Sequence, residues 1–162
     1  VLAAAVNKLG GADLIIAGTE SSDGYTGTVP EQLAEVLGLP SVTFAKKVHV
    51  DGGTLKVDRQ TEAGYDEVTC PLPALISVTA GVVEPRYPSF RGIRQARSKP
   101  FNEWILADVG LDAGDVGAAG SRLEVVDILP PPERAPGRIV PGEPAEAAKE
   151  VVRLLRVEAK VI

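Results

Sequence analysis

The chain has 162 residues, 44% hydrophobic and 24% charged, with a net charge of −5. That balance is ordinary for a globular domain and argues against a nucleic-acid partner, because phosphate backbones select basic faces. No apolar run approaches the ~20 residues of a membrane helix, and the single cysteine, Cys70, excludes an intrachain disulfide and fits a reducing compartment such as the cytoplasm.

The chain opens "VLAAAVNKLGGADLIIAG", which reads as a helix ended by Gly10 and Gly11 and then a strand. It contains no methionine, and the expectation is a fold whose first strand precedes that helix and is missing here. "DLIIAG" is a continuous apolar run, the pattern of a parallel strand buried on both faces. Ten small, hydroxyl-bearing and glycine residues follow, where an ordinary connection takes roughly two to six. "VPEQLAEVLGLP" then predicts a helix, with Pro30 and Glu31 in its first turn and Gly38 and Pro40 as its stop. Helix, strand, loop and helix in this order predict an α/β fold with a mostly parallel sheet.

From Ser41 the pattern changes to alternation of apolar and polar residues, interrupted by Asp51-Gly52-Gly53 and by Ala63-Gly64. Those turn signals predict an antiparallel hairpin or three-stranded meander. "ALISV", 74–78, is apolar enough to return to the buried sheet. A short basic helix is expected over Phe90 to Ala96, and "NEWILADVG" is read as one more short strand. The segment from Leu111, with its triple proline at 130–132, favours extended backbone and cannot build a core of its own. The end of the chain predicts a helix with Pro144 in its first turn and one apolar stripe of Ala148, Val151, Val152 and Leu155. Such a tethered helix either packs back on its own domain or reaches across to a partner.

The loop of residues 18–29 carries the chemistry. Phosphate oxygens accept hydrogen bonds, and a helix N-terminus supplies free N–H donors at the positive end of its dipole. Gly18, Gly24 and Gly27 permit close approach and positive φ; Ser21, Ser22, Thr26 and Thr28 bring short hydroxyls. The loop matches neither the Walker pattern nor Gly-x-Gly-x-x-Gly. Its place after a buried strand and before a helix suits anion binding; a solvated surface loop is the competing reading. His49 stands alone in an alternating strand, Cys70 reads as a small buried hydrophobe, and Glu62, Asp66 and Glu67 as solvated hairpin edges. No nucleophile with a base and no metal-ligand cluster is legible, so the chain is not read as an enzyme.

The run from Val57 to Lys99 resembles the signature region of the electron transfer flavoprotein β subunit family. The resemblance rests on Val57 and Arg59, Glu62 and Gly64, Pro73 before "ALIS", and Glu84-Pro85-Arg86-Tyr87 before a basic helix. The order of strand, loop, arm and final helix extends it over nearly the whole chain. Departures are Ala63 where glycine or an acid is usual, Asp66 in place of glutamate or glutamine, and Gly24, Gly27 and Thr28 where members often carry acids and amides. The part of the family fold that precedes this chain is absent.

The resemblance implies a Rossmann-like adenine-nucleotide-binding fold with an antiparallel hairpin insertion. It implies half of a heterodimer whose α subunit holds most of an FAD. The dimer takes electrons from dehydrogenases of the acyl-CoA type and passes them to a membrane quinone oxidoreductase, without itself entering the membrane. AMP is the implied structural ligand. Ser21, Gly24, Gly27, Thr28 and Val29 lend it backbone N–H groups, Asp23 orders the loop, and Gly18 turns the chain off the strand. Phe90, amid Arg86, Tyr87 and Arg91, is the implied anchor on the dehydrogenase, although from its residues alone Phe90 is read as packing the short helix. The C-terminal arm is implied to wrap around the α subunit. The location follows as cytoplasmic in a bacterium or the mitochondrial matrix in a eukaryote. The expected organisation is a nucleotide-binding α/β domain over 1–110, incomplete at its N-terminus, a Gly/Pro-rich arm over 111–142 and a helix over 143–162. Two alternatives remain: a family variant with a second FAD in the AMP site that splits electron pairs, and an independent adenine-nucleotide-binding sensor.

Overall fold

The computed structural model describes residues 1–134 and 136–162. The chain divides into two units, Val1–Leu123 and Glu124–Ile162. In the first unit, α1 (Leu2–Lys8) leads through the glycine pair into β1 (Leu14–Gly18), and α2 spans Val29–Leu37. Gly38 ends α2 at φ 66°, a left-handed conformation that suits a residue without Cβ, and its N–H donates to the Glu35 carbonyl at 3.1 Å. The Leu39 N–H closes the cap on the Ala34 carbonyl at 2.9 Å.

Three strands follow as the expected meander: β2 (Ser41–Asp51), β3 (Thr54–Thr61) and β4 (Gly64–Pro71). Asp51 pairs with Thr54 across Gly52-Gly53, and Thr61 with Gly64 across Glu62-Ala63, so both connections are two-residue turns. β5 (Ala74–Val78) closes one five-stranded sheet in the order β1-β5-β2-β3-β4. β5 runs parallel to β1 on one side and to β2 on the other, while β2-β3 and β3-β4 are antiparallel. The α/β class, with an antiparallel hairpin region joined to parallel strands, is therefore as expected, and β2 belongs to both parts of the sheet.

A bulge makes that double membership possible. Ser41 and Val42 pair with Leu75 and Ile76 of β5; Ala45 pairs with both Val78 and Arg59, and the register shifts on either side of it. Between them Phe44 adopts φ 56°, and its N–H donates to the Ser77 hydroxyl at 3.0 Å. Bulges bend a strand and raise its twist, which here swings the second half of β2 off the parallel sheet and into the meander.

The main core cluster is Val42, Ala45, Leu55, Val57, Cys70, Ala74 and Ile76, with Leu14, Val48, Val68, Leu72 and Val78 packed against it. Leu55, Ala74 and Ile76 are fully buried, and at roughly 25 cal/mol per Å² such side chains dominate what holds the sheet together. Cys70 is part of this core, as expected, and burial pushes its thiol pKa up.

Two expectations are corrected. β1 is not buried on both faces: it is an edge strand paired only with β5, and Ile16 is 62% exposed. Residues 102–110 form no strand; Leu106–Val109 is a 3-10 turn. Its cause is local chemistry, since the Asp108 carboxylate accepts the Ile105 N–H at 2.9 Å and Gly110 closes the turn at φ 71°. Lys8 fastens this segment to α1, donating to the Asp108 carbonyl at 2.6 Å with its ammonium 5.1 Å from the centre of the Trp104 ring.

The basic helix α3 spans Phe90–Ala96, as predicted. A second 3-10 turn (Ala113–Asp115) and a four-residue helix, α4 (Gly117–Gly120), follow it. In the second unit, α5 spans Pro144–Val157, with Pro144 in its first turn. Val151, Val152 and Leu155 of its apolar stripe are 41%, 46% and 38% exposed, so among the described residues of the unit that stripe is only partly covered. A bidentate ion pair of Arg153 with Glu150, at 2.7 Å, lies along the same helix. Among the described residues no helix is long and apolar enough to cross a membrane.

Candidate functional site

The loop of residues 18–29 leaves the sheet at the carboxyl ends of its parallel strands, the end at which open α/β sheets hold ligands. Gly18 of β1 is in register with Val78 of β5, and Val78 with Ala45 of β2. Thr19 ties the loop to this row, its hydroxyl donating to the Val78 carbonyl at 2.9 Å. Ser21 and Asp23 then organise a turn: the Tyr25 N–H donates to the Ser21 carbonyl at 3.2 Å, and the Gly24 N–H to the Asp23 carboxylate at 2.7 Å. The Ser21 hydroxyl and the Gly24 N–H hold the Asp23 carboxyl below its ordinary pKa. Asp23 is thus occupied with its own loop.

Positive φ falls on Gly27, at 66°, and on Tyr25, at 49°, whereas Gly18 and Gly24 lie outside that region. A Cβ on Gly27 would stand 3.4 Å from the Glu20 carboxylate, an ordinary contact, so the positive φ is what favours glycine at this position. Ser22, Thr26 and Thr28 are exposed. Thr28 precedes α2 without a side-chain cap, and Pro30 has no N–H. The N–H groups of Val29 and Glu31 therefore have no partner among the described residues, and they stand at the positive end of the helix dipole. One oxygen of the Glu31 carboxylate is buried without a hydrogen-bond partner, an acceptor that a ligand hydroxyl or amino group can satisfy. Free backbone donors at the start of α2 suit an anionic group.

Sequence reasoning missed two contributors at this edge. Thr19 carried no signal beyond being a hydroxyl residue after a strand. Lys46, one residue past Ala45 on β2, donates from its ammonium to the Ala80 carbonyl at 2.8 Å. Its signal was a gap: the 37 residues between Lys8 and Lys46 contain no lysine or arginine.

The second candidate surface lies around α3. Ser89 caps this helix, its hydroxyl accepting the Gly92 N–H at 3.1 Å, so Phe90 takes the first helical position. Phe90 is 94% exposed and Tyr87 98%, with Arg86 and Arg91 exposed beside them. The alternative in which Phe90 packs the core is thereby removed: α3 has no buried residue. The structure brings the four expected residues onto one short stretch of surface.

Comparison with known proteins gives a consistent result. The family model described as "Electron transfer flavoprotein domain" matches residues 1–109. The chain is 41% identical over 150 residues to the electron transfer flavoprotein subunit beta of Bacillus subtilis, covering 93% of this chain and 57% of that one. It is 39% identical over 161 residues to the subunit beta of Mycobacterium bovis, covering 99% of this chain and 60% of the relative. It is also 33% identical to the caffeyl-CoA reductase–Etf complex subunit CarD of Acetobacterium woodii, over 87% of this chain and 54% of that one. The chain thus spans somewhat under two thirds of the length of these relatives. On these sequence matches the chain belongs to the electron transfer flavoprotein β subunit family, whose members carry electrons.

Proposed function

We propose that this chain is the nucleotide-binding part of the β subunit of a heterodimeric FAD-containing electron carrier, with AMP held as a structural ligand. In this reading the backbone N–H groups of Ser21, Gly27, Thr28 and Val29 hold the phosphate, while the Gly24 N–H is engaged by Asp23, which keeps the loop in shape. The observation that carries it is the pairing of uncapped N–H donors at the start of α2 with an ordered loop at the carboxyl edge of the sheet. AMP adds order and takes no part in electron transfer.

FAD, shared with or held by the α subunit, supplies reversible acceptance of electrons when bound. What this chain contributes is a docking surface. Phe90, within the rim of Arg86, Tyr87 and Arg91, is an exposed aromatic anchor of the kind that concentrates binding energy at transient interfaces. Its partners are acyl-CoA-type dehydrogenases on the donor side and a membrane quinone oxidoreductase on the acceptor side. The relative named for a caffeyl-CoA reductase complex supports CoA-thioester chemistry among the family's redox partners.

The test is a reduction assay. The full-length protein is purified with its α subunit and mixed with a catalytic amount of an acyl-CoA dehydrogenase and its substrate. Bleaching of the carrier's flavin, dependent on both subunits, is the expected result. No bleaching with any of several chain-length-specific dehydrogenases contradicts the assignment of donors.

A further inference from the structure

The candidate phosphate loop has an electrostatic difficulty that its geometry does not remove. From residue 9 to residue 45 there is no lysine or arginine, while Asp13, Glu20, Asp23, Glu31 and Glu35 all fall in that span. Glu20, Asp23 and Glu31 belong to the loop and the first turn of α2. An anion held there meets the carboxylates through a partly aqueous medium, and backbone donors alone must offset that repulsion.

The fold brings a cation to the same edge from the far side of β5. Gly18, Val78 and Ala45 form one row across β1, β5 and β2. Neighbouring strands lie ~4.8 Å apart, so Gly18 and Ala45 are separated by about 10 Å. Thr19, just past the end of β1, and Lys46 in β2 are the next residues along the chain. Their side chains seat on carbonyls two residues apart in one segment, Thr19 on Val78 and Lys46 on Ala80. Lys46 is partly buried along its stem while its ammonium stays at the surface. Gly81, at φ 73°, passes close enough that a Cβ there would stand 3.6 Å from the ammonium. Among the described residues that ammonium has a carbonyl for a partner and no carboxylate, unlike Lys47, which faces Asp58 at 4.0 Å.

We propose that Lys46 is the counter-charge of the phosphate-binding edge, a positioning residue whose ammonium, held on Ala80 across the end of β5, favours a phosphate-bearing ligand in the 18–29 loop. The proposal rests on the nucleotide reading above and adds to it a residue outside the loop and helix. Lys46 acts through space, not by replacing the backbone donors, so it selects for charge and not for the adenine. If the charges are separated by the same ~10 Å as the two backbones, a single charge acting along a partly aqueous path changes phosphate affinity by roughly two- to tenfold. The effect fades as salt shortens the screening length to about 3 Å at 1 M.

The full-length protein, bound to its partner subunit and freed of nucleotide, is titrated calorimetrically with AMP and with adenosine, at low and at high salt. The natural protein is compared with Lys46→Gln and Lys46→Arg. The expected result is that Lys46→Gln weakens AMP roughly two- to tenfold at low salt, leaves adenosine unchanged, and converges with the natural protein at high salt. Lys46→Arg restores AMP binding. Equal loss of AMP and adenosine in Lys46→Gln, or no loss of AMP at low salt, overturns the proposal while leaving the nucleotide reading intact. Failure of the natural protein to bind AMP overturns both. Should Lys46→Gln not fold, an AMP affinity of the natural protein that ignores salt is the overturning result.

Discussion

The bulge in β2 hangs on one hydroxyl, and Ser77→Ala tests that directly. Ser77 is 1% exposed and accepts the Phe44 N–H at 3.0 Å. Alanine fits the space but leaves that amide without an acceptor, at a cost of about 1–3 kcal/mol for a buried polar group. Phe44 is 39% exposed, so water reaches part of its surroundings and the lower half of that range applies, about 1–2 kcal/mol. Read by native-state amide hydrogen exchange in the full-length complex, this corresponds to exchange roughly 5–30-fold faster for amides that open through the bulge. Two amides report it: Phe44 itself, and Thr79, whose N–H donates to the Ala45 carbonyl at 3.0 Å on the other side of the bulge. The Val57 and Val68 amides, paired within the meander, should change less. If Phe44 and Thr79 exchange as slowly in Ser77→Ala as in the natural protein, the hydroxyl does not hold the bulge and the account of how β2 serves both halves of the sheet fails.

Phe90→Ala should leave stability within about 0.5 kcal/mol, because a residue 94% exposed contributes little to packing. The same change should slow electron transfer from a cognate dehydrogenase by about tenfold or more if Phe90 anchors the complex; an unchanged rate at limiting dehydrogenase refutes the anchor. Asp23 has a depressed carboxyl pKa, so the order it gives the loop is present above the ordinary carboxylate range and is lost as pH falls through the lowered value. The NMR shift of the Gly24 amide should accordingly be flat from pH 7 to 5 and move only below about pH 4, and Asp23→Asn should abolish the movement; titration near pH 6 contradicts it. Val152→Asp places a charge in the exposed stripe of α5. It should leave the helix signal in circular dichroism intact while weakening co-purification with the α subunit about tenfold; undiminished pairing removes that stripe from the interface.

Much of this fold was legible because local chemistry and the tertiary result agree. Pro30, Gly38 and Pro40 bound α2 in the sequence as in the structure, Ser89 sets the start of α3, and glycine-marked turns announce the meander. Disagreement arose where position in the sheet decides. The apolar run of β1 suggests burial on both faces, yet its place at the edge leaves Ile16 exposed. Residues 104–107 carry apolar side chains in a strand-like run, but Asp108 and Gly110 supply turn chemistry that outweighs it. Nothing in the sequence announces Phe44 at positive φ, since the bulge is fixed by Ser77 from another strand, 33 residues away. The site divides in the same way. The loop and the aromatic surface are contiguous stretches and can be read along the chain, whereas Thr19 and Lys46 acquire meaning only when β5 is placed between them.

The central claim, a β subunit that holds a structural nucleotide in the 18–29 loop, is tested most directly by stoichiometry. The full-length protein is co-expressed with its α subunit, the complex is denatured in acid, and the released nucleotides are identified by chromatography and mass. One AMP for each FAD is the predicted result. Two FAD and no AMP contradicts the structural role of the loop and makes it part of a second redox site, and FAD with no second nucleotide contradicts nucleotide binding by this chain altogether.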